Sequence, residues 1–197
     1  ILAVRKTKEI VSEIPSKDQQ KMFAKYIRLL ILLKMEPAYV INPSNFGIGG
    51  TDEAIEQAQT LLKREGEGIQ FMRLPVNGAF HTSLMATAVE DIVDALSNIE
   101  ISPTTIPIIA NTTGRPIQTP AEIRKEVEAH LTNLIRWHKS IRTLERHGVV
   151  NVVELGSKPI VCGMTKEDDQ AIAAVVDKNG TTIAHLLTKR ENLELVA

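Results

Sequence analysis

Apolar and polar positions change period several times along the chain, and each change marks an element. Residues 1–4 (ILAV) form a short β-type run, followed by a helix-like stretch through residue 14 that Pro15 stops. Ser16 then caps a helix expected over 17–35, with Met22, Phe23, Tyr26, Ile27, Leu30 and Leu33 on its apolar face and Pro37 past its end. Residues 39–41 read as a strand, Asn42-Pro43-Ser44-Asn45 as a turn, and 46–49 as a second strand weakened by glycine. Thr51 is a good N-cap for a helix on which Ile55, Ala58, Leu61 and Leu62 recur along one side. The turn EGEG leads into a strand expected at 69–74. The order β-α-β-β-α-β across 1–74 is that of a ferredoxin-like unit.

After Pro75 the pattern shifts. A helix is expected over 83–98, with Leu84, Val89, Ile92, Val93 and Leu96 on one face. Residues 105–110 (TIPIIA) are almost wholly apolar, which predicts a strand covered on both sides. Helices follow near 120–131 and 133–147, then a strand at 149–155, a short helix at 159–165, a strand at 171–176 and a mainly helical stretch over 181–195. Alternating strands and helices predict an α/β architecture with a parallel sheet. The expected division is a small ferredoxin-like subdomain over 1–74 and an α/β portion over 75–197.

Composition narrows the function classes. At 197 residues and 43% hydrophobic, the chain can bury a core, and with only 4% aromatic residues Leu, Ile, Val and Ala must fill it. A formal net charge of −1, with acids and bases interspersed, gives no footprint for nucleic acid or an anionic membrane. The single cysteine, Cys162, excludes an internal disulfide framework and suits a reducing cytoplasm. The densest apolar run, 27–33, contains Arg28 and ends at Lys34, far short of the roughly 20 residues a spanning helix needs.

Candidate chemistry centres on LPVNGAFHTSLM at 74–85, where His81 stands between a loop and a helix. A histidine there can take a hydroxyl or thiol proton near neutral pH and return it to a leaving group. An ordinary surface or capping histidine fits the position as well. His130, His138 and His147 lie eight and nine residues apart with no cysteine among them, a poor metal pattern. His185 reads as a partly buried helix residue and Cys162 as an inert buried thiol. Gly47, Gly49 and Gly50 lack the order and the following Lys-Ser/Thr of a phosphate loop. A hydrolase-type nucleophile requires G-x-S-x-G, and no such pentapeptide occurs in the chain; Ser157 in ELGSKP lacks the second glycine.

LPVNGAFHTSLM, TIPIIANTTG, HLTNLIRWHKSI and HGVVNVVELGSKPIVCGMTK occur in an order and spacing that resemble the malonyl-CoA:acyl-carrier-protein transacylases and related acyltransferase domains of fatty-acid and polyketide synthesis. The resemblance covers about 69–166 closely, 38–68 fairly and the ends weakly. It implies part of an α/β-hydrolase-like parallel-sheet domain beside the small subdomain. It also implies a ping-pong reaction in which a serine takes the malonyl group and the phosphopantetheine thiol of acyl-carrier protein then removes it. Malonyl-CoA and acyl-carrier protein are then the partners, with no metal and no other cofactor. His81 matches the family's catalytic histidine, with its ring oriented by the main-chain carbonyl of His130. Asn111 corresponds to a supporting residue, and Asn42 and Asn45 fall near the family's active-site asparagines, although this hairpin is shorter and lacks S-P-G-Q. Phe80, directly before the histidine, resembles the malonyl-type pattern, in which the ring occupies the space of an α-methyl branch; plain core packing explains it equally well.

The family's serine elbow, its oxyanion-hole glutamine and its carboxylate-binding arginine find no match here, and G-P-G of the late turn is replaced by Gly156-Ser157-Lys158. The expectation is a portion of a longer enzyme whose serine belongs to sequence before Ile1. The alternatives are a truncated homologue that binds acyl-carrier protein without turnover, or the acyltransferase part of a polyketide synthase or malonate decarboxylase.

Overall fold

The computed structural model describes residues 30–42, 45–65, 71–166, 170–176 and 179–189, together with Lys17, Ala24 and Arg28. The chain divides into two units, Ile1–Ser140 and Ile141–Ala197. The expected strand at 1–4 and the helix through 14 lie outside the described residues, as does most of the helix at 17–35.

In the first unit that helix ends earlier than Pro37 would require. Met35 donates its N–H to Leu30 O (2.9 Å) and Lys34 to Ile31 O (3.0 Å), with Lys34 at φ 58°. This is a Schellman stop, in which the residue after the helix turns left-handed and the apolar residue beyond it folds back. Met35 is wholly buried and joins Leu30, Val40, Ala54, Ala58 and Leu134 in the core. The chain then enters β1 (Glu36–Asn42), which pairs antiparallel with β2 (Asn45–Gly49). Gly47 is required opposite Tyr39, because a Cβ there would lie 2.1 Å from the tyrosine ring. Thr51 accepts the Ala54 N–H (3.3 Å) at the start of α1 (Asp52–Glu65), whose Ala54, Ala58 and Leu62 are buried.

Residues 71–76 form neither strand nor helix, so the strand expected at 69–74 does not form over its described part, and Met72 stands 78% exposed. The helix expected at 83–98 begins as a 3₁₀ turn, Ser83–Ala88, and becomes α-helical only in α2 (Val89–Ser97). TIPIIA contributes just β3 (Ile108–Ile109), paired with β4 (Pro116–Ile117), and Ile106 and Ile108 are exposed rather than covered on both sides. A capping box between Thr119 and Glu122, with Pro120 in the first turn, starts α3 (Pro120–His130). Residues 135–136 are not helical. They form β5 (Ile135–Arg136), which pairs parallel with β1 through Tyr39–Ile135 and Val40–Arg136. α4 (Trp137–Arg146) follows and contains the boundary between the units.

The second unit contains β6 (Val152–Leu155), α5 (Ile160–Thr165), β7 (Gln170–Val176) and β8 (Thr182–Lys189). The stretch expected to be helical from 181 is thus a strand over its described part. β8 lies in the centre of a sheet ordered β6-β8-β7 and pairs antiparallel on both sides. The α/β class holds, with one mixed sheet, β2-β1-β5; among the described residues the parallel pairing is β1 with β5, and the other sheets pair antiparallel rather than parallel as expected. Cys162 is fully buried, and burial first, then the neighbouring Glu154 carboxylate, push its thiol pKa up.

Candidate active site

The loop 77–82 is built to hold one residue in an unfavourable conformation. His81 sits at φ 67°, a left-handed backbone that costs a non-glycine residue about 1–2 kcal/mol. Its neighbours compensate. Thr82, fully buried, donates its hydroxyl to Ala79 O (2.6 Å) and accepts the Leu84 N–H (3.3 Å). The threonine thereby closes the turn beneath His81 and caps the 3₁₀ turn that follows. Space for its methyl comes from Gly49 at the end of β2, where a Cβ would lie 2.6 Å from Thr82 Cγ2. Glu36, the first residue of β1, accepts both the Ser83 N–H (3.2 Å) and the Ser83 hydroxyl. The loop is therefore fastened to the β1–β2 hairpin from two sides.

From the opposite direction the C-terminal end of α3 grips His81 twice. The His81 N–H donates to Leu131 O (2.7 Å), and ring Nδ1 lies 2.7 Å from His130 O. A carbonyl can only accept, so Nδ1 carries a hydrogen, and in the neutral ring Nε2 is then the nitrogen with the lone pair. The terminal carbonyls of a helix lack intrahelical partners and form the negative pole of its dipole. The arrangement suits a base that becomes an imidazolium in mid-reaction.

The His130 side chain turns towards the same place. The His81 and His130 ring centroids are 5.0 Å apart at an interplanar angle of 62°, an edge-to-face contact. His130 Nε2 is 3.2 Å from Asn111 Nδ2, and Asn111 O accepts the Arg136 N–H (2.8 Å). One turn back on α3, Glu126 accepts Thr112 N–H (2.9 Å) and Thr112 Oγ1–H (2.5 Å). Burial, and secondly the charge of His81, hold the His130 pKa below the ordinary histidine value, against a smaller upward pull from Glu126.

The structure thus brings together His81, His130 and Asn111. Phe80, 41% exposed, sits beside His81 in the chain. Asn42 and Asn45 are backbone register partners at the end of the β1–β2 hairpin; Asn45 is exposed and, among the described residues, forms no hydrogen bond with His81, His130 or Asn111. An open cleft of about 680 Å³ flanks the Glu126–Thr112 contact, but His81 does not line it. Among the described residues no group of three or more His, Cys, Asp or Glu side chains could hold a metal ion, and no helix is long and apolar enough to cross a membrane. Glu36, Gly49, Thr82 and the Leu131 carbonyl escape sequence reasoning. Only Thr82 leaves a local signal, as a cap directly after the histidine; Glu36 is 47 residues from Ser83.

No family model matches the chain. It is similar to the malonyl CoA-acyl carrier protein transacylase of Bacillus subtilis, 33% identical over 141 residues, covering 72% of this chain and 34% of that protein. Over about three quarters of its length it is also similar to the malonyl CoA-acyl carrier protein transacylases of Bacillus subtilis strain 168 and Salmonella typhimurium, at 28% identity to each. A further relative is the polyketide biosynthesis protein ThaF of Burkholderia thailandensis, 28% identical over 144 residues, or 73% of this chain and 12% of that one. The crystal structure of MCAT from Streptococcus pneumoniae superimposes with a TM-score of 0.64 at 25% identity, covering 71% of this chain and 46% of that one. Against transacylase family members the chain spans between 34% and 50% of their length.

Proposed function

We propose that these 197 residues supply the general base, and its mounting, for transfer of a malonyl group from coenzyme A to the phosphopantetheine thiol of acyl-carrier protein. The observation that carries this reading is the double grip on His81, whose backbone N–H and Nδ1–H both reach carbonyls at the end of α3. That grip aims a single tautomer and leaves Nε2 as the base. Similarity to malonyl CoA-acyl carrier protein transacylases supports a thioester as the group acted upon.

In this mechanism a serine contributed by polypeptide other than these 197 residues gives its proton to His81 Nε2 as Oγ attacks the malonyl thioester carbonyl. Collapse of the tetrahedral intermediate breaks the C–S bond, and the coenzyme A thiolate recovers the proton from the imidazolium. The carrier-protein thiol then gives its proton to Nε2 and attacks the acyl-serine. The serine oxygen leaves with the proton. Asn111 supports the site through His130, Phe80 fills space beside the acyl group, and Asn42 and Asn45 stand on the substrate side. No cofactor is needed beyond the phosphopantetheine carried by the partner.

The test is malonyl transfer to holo acyl-carrier protein by the full protein that contains this sequence. His81→Ala should lower kcat by about 10²–10⁴-fold. Transfer at a near wild-type rate would sink the assignment. The 197-residue chain alone, incubated with malonyl-CoA, should show no malonyl adduct by intact mass; a stable adduct would place the nucleophile within it. The polyketide-associated relatives favour a second setting, the same chemistry in a polyketide assembly. Comparing transfer to fatty-acid and polyketide carrier proteins separates the two.

A further inference from the structure

We infer that the side chain of His130 is a positioning residue for His81: a neutral ring held by Asn111 that stands edge-on to the His81 imidazole and steadies the two carbonyls gripping it. The inference rests on the general-base reading of His81. A grip through a backbone carbonyl alone would accept almost any side chain at position 130. Here the ring makes two specific contacts, one to the His81 ring at 5.0 Å and one to the Asn111 amide at 3.2 Å. Asn111 is itself fixed to β5 by the Arg136 N–H, which its carbonyl accepts. With Glu126 holding Thr112 one turn earlier, the last turns of α3 are fastened to 111–112 twice. The carbonyls of His130 and Leu131 can then shift little relative to His81.

The chemistry of the contact selects a protonation state. An amide nitrogen only donates, so His130 Nε2 must present a lone pair, and the neutral ring carries its hydrogen on Nδ1. Protonation would break the Asn111 bond and set a second cation beside the ring that must become cationic during transfer. The charged groups around His130 are His81 from the loop and Glu126 from its own helix, with the Arg136 guanidinium on the β5 side bonded to Thr112 O (3.1 Å). A neutral His130 leaves His81 as the member of the pair that takes up charge.

Two-bond ¹⁵N–¹H correlation spectra of the full chain read the tautomer of each imidazole. Both His81 and His130 should show the Nδ1–H pattern. Asn111→Ala and His130→Ala should each convert His81 to an averaged pattern, and the double variant should do no more than either single one. His130→Gln, whose amide oxygen can accept from Asn111, should restore the single-tautomer signal. A His81 pattern unchanged in Asn111→Ala and His130→Ala, with far-UV circular dichroism intact, would overturn the inference, as would an Nε2–H pattern at His130. Should His130→Ala fail to fold, Asn111→Ala and His130→Gln decide it. The spectrum does not depend on turnover. Absence of malonyl transfer therefore counts against the proposed function, and an unchanged His81 spectrum counts against His130.

Discussion

Thr82 offers a direct test of how the loop holds His81 in a left-handed conformation. The side chain is fully buried and does two separable things. Its hydroxyl bridges Ala79 O and the Leu84 N–H, and its methyl occupies the space left by Gly49. Thr82→Val keeps the shape and removes the bridge, leaving a carbonyl and an amide without their partner in a site closed to water. Two lost bonds at about 1 kcal/mol each, with some penalty for stranded groups, give a destabilisation of about 2–3 kcal/mol. Thr82→Ser keeps the bridge and removes one methyl, for about 1 kcal/mol. Urea denaturation followed by tryptophan fluorescence measures both, since Trp137 is the sole tryptophan and begins α4. In thermal melts the valine variant should lose roughly 4–10 °C and the serine variant less than half of that. A serine variant as unstable as the valine variant, or a valine variant within about 0.5 kcal/mol of wild type, would show that the hydroxyl bridge does not hold the turn.

Gly49→Ala sets a Cβ 2.6 Å from Thr82 Cγ2 and should destabilise by about 1–3 kcal/mol while displacing the His81 ring signals; a neutral melt with unmoved signals would contradict the packing described. Glu154 accepts the N–H groups of Cys162 (2.8 Å) and Val161 (2.9 Å) at the start of α5. Burial raises its pKa, but those hydrogen bonds outweigh it and hold the pKa below the ordinary carboxylate value of 4.5. A depressed folded-state pKa stabilises above the unfolded value and loses that stabilisation as pH falls through the folded one. Between neutral pH and strong acid the wild type should therefore lose more stability than Glu154→Gln, measured by urea midpoints across pH; parallel pH profiles would refute the assignment.

Much of the first unit was legible because its signals are local. Thr51 before an acidic first turn, Thr119-Pro120 with Glu122 three residues on, and apolar recurrence at Ile55, Ala58 and Leu62 each act within a helix turn or two. The misread elements are those where local signals were ambiguous. A short, mostly apolar run such as IAHLL suits a buried helix or a central strand equally well, and only pairing on both edges by β6 and β7 settles it. TIPIIA has the apolarity of a covered strand, yet only Ile108 and Ile109 pair as strand, with β4.

The candidate site divides along the same line. Sequence alone singled out His81 as the candidate for proton transfer, through the resemblance its motif carries, and determined that no G-x-S-x-G serine accompanies it in this chain, because both are read within short motifs. Tertiary structure decided which nitrogen of His81 is held by a partner, because the carbonyl that claims Nδ1 lies 49 residues away on α3. It also decided that His130 contributes a ring as well as a carbonyl, and that Glu36, Gly49 and Thr82 support the left-handed turn. Hydrogen bonds act over about 3 Å whatever the separation along the chain, so contacts of this kind leave no periodic trace in the order of residues.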